Sequence, residues 1–174
     1  AEIIRQKPSY AFRLKGIDEM RDTLQAERYI KENRAVQVLY FYGDSGTGKT
    51  RSIFASHKPE DICRITDYGG KNGTKFDAYH GQPVFEEFHS QIPIAAMLNY
   101  LDIYPLQLPA RYHDRTACYT TVYITSNISL DEQYTEVQRS ELETWRAFLR
   151  RIGCVKEFRK GKPPREVPFH DKRR

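Results

Sequence analysis

Cysteine is scarce in this chain of 174 residues, and long apolar runs are missing. Its three cysteines, Cys63, Cys118 and Cys154, are odd in number and far apart. None belongs to a C-x-x-C pair, so zinc-ribbon and dithiol redox chemistry have no ligands here. They read as reduced core residues of an intracellular protein. No apolar stretch approaches the length that spans a bilayer, so no membrane partner is expected. The opening Ala1-Glu2-Ile3-Ile4-Arg5 lacks the pattern of a signal peptide, and without an initiating Met it suggests a processed chain or an excised fragment.

What the chain does contain is a glycine-rich stretch, Gly43-Asp44-Ser45-Gly46-Thr47-Gly48-Lys49-Thr50, which fits G-x-x-x-x-G-K-[ST] and directly follows the apolar run Val38-Leu39-Tyr40-Phe41-Tyr42. Strand, glycine loop and helix follow in the order that a phosphate-binding loop needs. Small residues let backbone N–H groups curl around phosphates, Lys49 reaches the β and γ oxygens, and the Thr50 hydroxyl is free to hold Mg²⁺. The helix starting near Lys49 directs its positive end at the anion. A chance match in a chain of this length is on the order of one per cent from average residue frequencies. ATP and Mg²⁺ are the expected ligands.

Later segments supply the other parts of a nucleotide hydrolase. Pro83-Val84-Phe85-Glu86-Glu87 is an apolar strand ending in two carboxylates, suited to holding Mg²⁺ and to deprotonating an attacking water. Thr121-Val122-Tyr123-Ile124-Thr125-Ser126-Asn127 is a second apolar strand; Asn127 suits either a γ-phosphate sensor or a plain turn. Leu142, Trp145, Phe148, Leu149 and Ile152 share one face of a helix whose last turn carries Arg150 and Arg151. Those cations serve the helix dipole, or reach a neighbouring subunit's nucleotide. Between the two strands lie a helix over 92–103 and a hairpin whose centre is Arg111-Tyr112-His113-Asp114-Arg115. Cations and aromatics at such a tip suit the backbone and bases of a single strand, or are incidental charges on an exposed loop.

The ends are less regular. Ile17, Met20 and Leu24, with Tyr29 or Ile30, recur at helical spacing, which predicts an amphipathic helix that packs on the core or forms a subunit contact. Net charge is +5 with an isoelectric point near 9.1, which favours a polyanionic partner. The prolines and cations from Arg159 onward predict a disordered or loosely attached tail.

Taken together, the P-loop, Glu86-Glu87, the Arg111 hairpin, Asn127 and Arg150-Arg151 resemble, in this order and spacing, the superfamily 3 helicase domain of rolling-circle replication initiators. The resemblance runs from about Val38 to Ile152. It extends to initiators of bacterial plasmids and circular single-stranded DNA viruses through Phe76-Asp77-Ala78-Tyr79-His80-Gly81. The plasmid branch is the more similar in Leu98-Asn99-Tyr100-Leu101-Asp102-Ile103-Tyr104-Pro105-Leu106, Leu108-Pro109-Ala110-Arg111-Tyr112 and Glu143-Thr144-Trp145-Arg146-Ala147-Phe148-Leu149-Arg150-Arg151-Ile152. It implies an α/β fold, an AAA+-like P-loop NTPase core with a mainly parallel central sheet flanked by helices. The implied divisions are an N-terminal helical or oligomerisation element over 1–35, an ATPase domain over 36–156 and a basic, flexible tail over 157–174.

It also implies a homo-oligomer, typically a hexameric ring, that translocates 3′-to-5′ on single-stranded DNA. Lys49 and Thr50 then bind phosphate and Mg²⁺, Glu86 and Glu87 supply metal coordination and the base, and Asn127 is the sensor. Arg111, with Tyr112, His113 and Arg115, faces DNA, and Arg150 or Arg151 is the finger. Many relatives carry Asp in the acidic pair, and their loop tips vary at His113 and Asp114. The endonuclease domain usual in such initiators, with its His-hydrophobe-His motif, is absent from this sequence and is expected on a longer protein. The setting would be the cytoplasm for a plasmid and the host nucleus for a virus. Rival readings are a picornavirus-like RNA helicase, a nucleotide-dependent DNA-binding scaffold with little hydrolysis and, more remotely, a small-molecule kinase.

Overall fold

Alternation along the apolar strands determines how the sheet is covered. The computed structural model describes residues 20, 23, 24, 26–68, 76–110 and 114–169. Strand β1 (Gln37–Tyr42) turns Val38 and Tyr40 to one face and Phe41 to the other. The same split recurs in β2 (Ile62–Ile65), β3 (Gln82–Phe85) and β6 (Thr121–Ser126), where Cys63, Ile65, Phe85, Val122 and Ile124 join one buried cluster and Ile62, Val84 and Tyr123 another. A sheet apolar on both faces needs cover on both. Helix α1 (Lys49–Ser56) lays Ile53 on the smaller cluster, while α2 (Ile94–Tyr100) and, after the short α3 (Thr135–Ser140), α4 (Leu142–Arg151) place Met97, Trp145 and Phe148 on the larger.

The six strands lie in the order β2-β3-β6-β1-β7-β8, with β7 at Cys154–Glu157 and β8 at Arg165–Glu166. Every pairing is parallel except that of β7 with β8. Strand β1 is therefore central, between β6 and β7, and the chain changes direction across the sheet at its C-terminal end, where open α/β sheets bind ligands. Pro83 lies inside β3 without an N–H to give. Pairing with β6 starts only at Val84 with Tyr123, and the Gln82 side-chain oxygen instead accepts the N–H groups of Thr120 (3.0 Å) and Thr121 (2.7 Å).

Two sequence expectations change here, and a third is narrowed to one of its alternatives. The tail does not leave the domain after residue 157: Phe158 is buried, its N–H donates to the Tyr42 carbonyl (2.7 Å), and β8 folds back onto β7. Helical residues 26–31 are described, but Met20, Leu24 and Ile30 are 64%, 62% and 53% exposed, so these members of the stripe do not pack on the core. Of the cysteines only Cys63 is buried; Cys118 and Cys154 are half-buried, and all three are free thiols. A hairpin forms, with β4 (Gln107–Leu108) antiparallel to β5 (Arg115–Thr116), so Arg115 lies on an arm and not in the tip where the sequence had put it.

Candidate nucleotide site

The glycine loop leaves β1 and enters α1 at the centre of the sheet. Gly43 takes φ 140° in a place where a Cβ would lie 2.0 Å from the Phe158 carbonyl oxygen, so conformation and space both demand glycine. Gly48, at φ 94°, is the left-handed residue that opens α1, and no side chain caps that end. The first amides of α1 thus face outward with the positive end of the helix dipole.

Lys49 lies across the loop. Its ammonium donates to the Gly43 carbonyl (2.5 Å), the Asp44 carbonyl (2.9 Å) and Asn127 Oδ1 (3.1 Å). Burial lowers its pKa from the usual lysine value, against the opposing fields of Asp44 and Glu87. Two strand ends meet at this cation, β1 through the loop and β6 through Asn127. Thr50 is half-buried at the second position of α1. The core is that of a P-loop NTPase.

The two glutamates are held differently. Glu86 is 8% exposed, and both its carboxylate oxygens accept from Arg64 on β2, at 2.9 Å from Nε and 2.6 Å from Nη2. Its carbonyl accepts the Tyr68 hydroxyl (2.6 Å), whose pKa is raised first by burial and then by the fields of Glu86 and Glu87. Glu87 is exposed at φ 49°, with its N–H 3.4 Å from Thr125 Oγ1. That left-handed backbone turns the chain sharply and separates the two carboxylates.

Behind these residues lies a polar network that sequence reading missed. Gln133 is fully buried, and its Nε2 lies 2.8 Å from Tyr40 Oη, 2.9 Å from the Phe88 carbonyl and 3.2 Å from Ser126 Oγ. Ser126 Oγ donates to Phe88 O, and Ser90 Oγ donates to Gln133 Oε1, both at 2.7 Å. The network joins β1, the acidic turn and β6 just beneath the site. Burial raises the Tyr40 pKa to about 12, so its hydroxyl stays protonated and donates to the Ile128 carbonyl (2.9 Å). Only the short polar pattern Ser126-Asn127 and the run Leu130-Asp131-Glu132-Gln133 hinted at it in sequence.

The paired arginines also separate. Arg151 donates to Asp102 Oδ2 (2.5 Å) and to the Ala147 carbonyl (2.9 Å). Arg34, 2% exposed over the Tyr119 ring, donates to the Asp102 and Tyr104 carbonyls at 2.8 and 3.1 Å. Arg150 is exposed. In the hairpin, Arg115 is half-buried on β5, with Asp114 exposed before it, whereas Arg111, Tyr112 and His113 lie outside the described residues.

The donor set around the loop, a threonine hydroxyl and glutamate carboxylates, is hard oxygen and suits Mg²⁺. Among the described residues no group of three or more His, Cys, Asp or Glu side chains could hold a metal. The fit is thus to an ion that takes most of its ligands from phosphate and water, as Mg²⁺ commonly does.

No family model matches the chain, and no curated protein matches it. Among solved structures it is similar to the S. cerevisiae Hsp104:casein complex in its extended conformation, at 18% identity and a TM-score of 0.45, over 83% of this chain. The chain spans 33% of the length of that one. The fold class rests on the sheet order and the loop geometry.

Proposed function

We propose that this chain is the ATP-hydrolysing motor of a DNA helicase, acting as a hexameric ring on single-stranded DNA within a rolling-circle replication initiator. The observation that carries the hydrolase reading is the hydrogen bond between Lys49 and Asn127, which joins the loop after β1 to the end of β6, with Glu87 following β3, the next strand in the sheet. In this reading a triphosphate would take the loop amides and Lys49, and the Thr50 hydroxyl and, through water, Glu86 would hold Mg²⁺. When bound, Mg²⁺ would supply charge neutralisation to the phosphates. Glu87, exposed and without the ion pair that occupies Glu86, accepts the proton of the attacking water. Asn127 orients that water and shares Lys49 with it. Arg150 reaches a neighbour's γ-phosphate.

The helicase part of the reading is supported by the order of the motifs and by the net charge of +5. A basic hairpin is available for the strand, and the exposed Met20, Leu24 and Ile30 suit a subunit contact. The test is ATPase turnover with single-stranded DNA and RNA side by side, together with strand displacement. DNA stimulation with 3′-to-5′ unwinding is expected. Stimulation by RNA alone would move the chain to the RNA helicases, and ATP binding without turnover would make it a scaffold.

A further inference from the structure

Arg34 lies between the helical residues 26–31 and β1, and its side chain is buried. Its backbone N–H donates to the Ile103 carbonyl (2.7 Å), and its Nη2 donates to the carbonyls of Asp102 and Tyr104 (2.8 and 3.1 Å). The guanidinium carbon is 4.4 Å from the centroid of the Tyr119 ring, whose hydroxyl donates to the Tyr100 carbonyl (2.6 Å). The backbone just before β1 is thus stitched along the turn that closes α2. A buried cation is weak evidence for stability, since apolar side chains fill such a place at lower cost. What an arginine supplies there is a rigid fork and a flat face.

Asp102 carries the connection onward. Its carbonyl takes Arg34, its Oδ1 accepts the Ile103 N–H (2.8 Å), and its Oδ2 accepts Arg151 in the last turn of α4. Arg151 is held from behind as well, through the Ala147 carbonyl one turn earlier. Three segments far apart in sequence therefore share one residue: the entry to β1, the exit from α2 and the end of α4. Consecutive residues of a helix point about 100° apart, so a fixed Arg151 sets the direction in which Arg150 leaves the helix. Helix ends otherwise fray. The same tie joins that helix end to the arm before β1, where Ile30 is exposed.

We propose that Arg34 and Asp102 are positioning residues for the cation supplied to a neighbouring subunit: together they tie the arm before β1 to the end of α4 and hold Arg150 at a set reach from that arm. The proposal rests on the reading above, in which Arg150 acts on a neighbour's γ-phosphate and the exposed arm residues meet that neighbour. It adds the link between contact and chemistry, because a movement of the arm is passed to Arg150 through one aspartate. Neither Arg34 nor Asp102 acts on the nucleotide directly. Reach matters because catalytic groups must be held within about 0.5 Å of the productive geometry, and a misplacement of about 1 Å caused by a distant mutation can lower the rate about 10²-fold.

The test uses the full chain with Arg34→Lys, which keeps the charge and loses the fork, and Asp102→Asn, which keeps the shape and loses the ion pair. Circular dichroism checks the fold, sedimentation checks assembly, and Arg150→Ala is the reference. The expected result is a kcat for ATP hydrolysis lowered about ten- to hundredfold, with KM within about twofold of wild type. Mixing either variant with Lys49→Ala subunits, whose own Arg150 is in place, then gives more turnover than the sum of the two measured apart. Wild-type kcat in both variants, folded and assembled, overturns the positioning role. So does a loss that mixing fails to recover, which puts the defect in the variant's own nucleotide site, and so does a loss that only follows dissociation of the assembly. If Arg34→Lys does not fold, Asp102→Asn alone decides among these outcomes. Wild-type turnover in Arg150→Ala overturns the trans-acting arginine itself and the proposal with it, whereas a loss there beside intact Arg34→Lys and Asp102→Asn removes only the positioning.

Discussion

The acidic turn after β3 and the basic end of α4 solve the same problem in opposite charge. Each presents two identical neighbours, and each binds one of them inward. Glu86 is gripped by Arg64, and Arg151 by Asp102, while Glu87 and Arg150 remain exposed. The inward partner fixes the backbone from which the outward one projects. Doublets that look redundant in sequence thus divide into an ion-paired side chain and an exposed one.

The sharpest break in that symmetry is Arg150→Ala against Arg151→Ala. If Arg150 acts on a neighbour's phosphate, its loss lowers turnover by about 10³ to 10⁵ with the melting temperature unmoved. Mixing Arg150→Ala with Lys49→Ala subunits then restores activity at the interfaces that keep an intact loop and an intact finger. Recovery with Arg151→Ala in its place reverses the roles.

For the acidic doublet, Glu87→Gln keeps ATP binding and lowers turnover by about 10² to 10⁴. Glu86→Gln retains more of the turnover than that and weakens Mg²⁺-dependent binding, since it loosens the Arg64 anchor. Single-turnover rates and nucleotide titrations of the two variants decide it. Equal losses in both would dissolve the distinction.

A smaller effect, on stability alone, is expected beneath the site. Gln133→Leu leaves Tyr40, Ser90, Ser126 and the Phe88 carbonyl short of partners and lowers unfolding free energy by about 1–3 kcal/mol, read by urea denaturation. A neutral result would mean that the buried network relaxes.

The smallest is a pH effect at the basic doublet. Burial alone would raise the Asp102 pKa, but hydrogen bonds from Arg151 and the Ile103 N–H, with the fields of Arg151 and Arg34, bring it below its ordinary 3.8. A depressed carboxylate contributes stability above its unfolded pKa and loses it as pH falls through the folded value. Arg151→Ala therefore costs about 1–2 kcal/mol near neutrality, and the deficit shrinks below pH 3.8. A deficit independent of pH would point to packing instead of the ion pair.

The P-loop, the ends of β3 and β6 and α4 were legible because each is a contiguous pattern whose neighbours in sequence define its shape. Arg64, Tyr68 and Gln133 were not, because what they do depends on Glu86 and on Tyr40, 22, 18 and 93 residues away. The fate of the tail was hidden for a different reason. Strand β8 is two exposed charged residues at the rim of the sheet, and such a strand has no apolar alternation to betray it. Arg150 and Arg151 were indistinguishable until Asp102, 49 residues earlier, was placed beside one of them.

The two borders of the sheet carry a consequence for how copies of the chain can meet. At one border β2 is four residues long and its middle is occupied by Arg64, whose side chain is 55% exposed; at the other, β8 offers only Arg165 and Glu166. Short, charged margins give an incoming strand little ladder to extend and a desolvation penalty for trying. Among the described residues neither border is suited to joining subunits into a continuous sheet. In the proposed ring, assembly would be left to side-chain surfaces, which can slide and separate as the ring changes shape, whereas a shared backbone ladder would lock every subunit into one register.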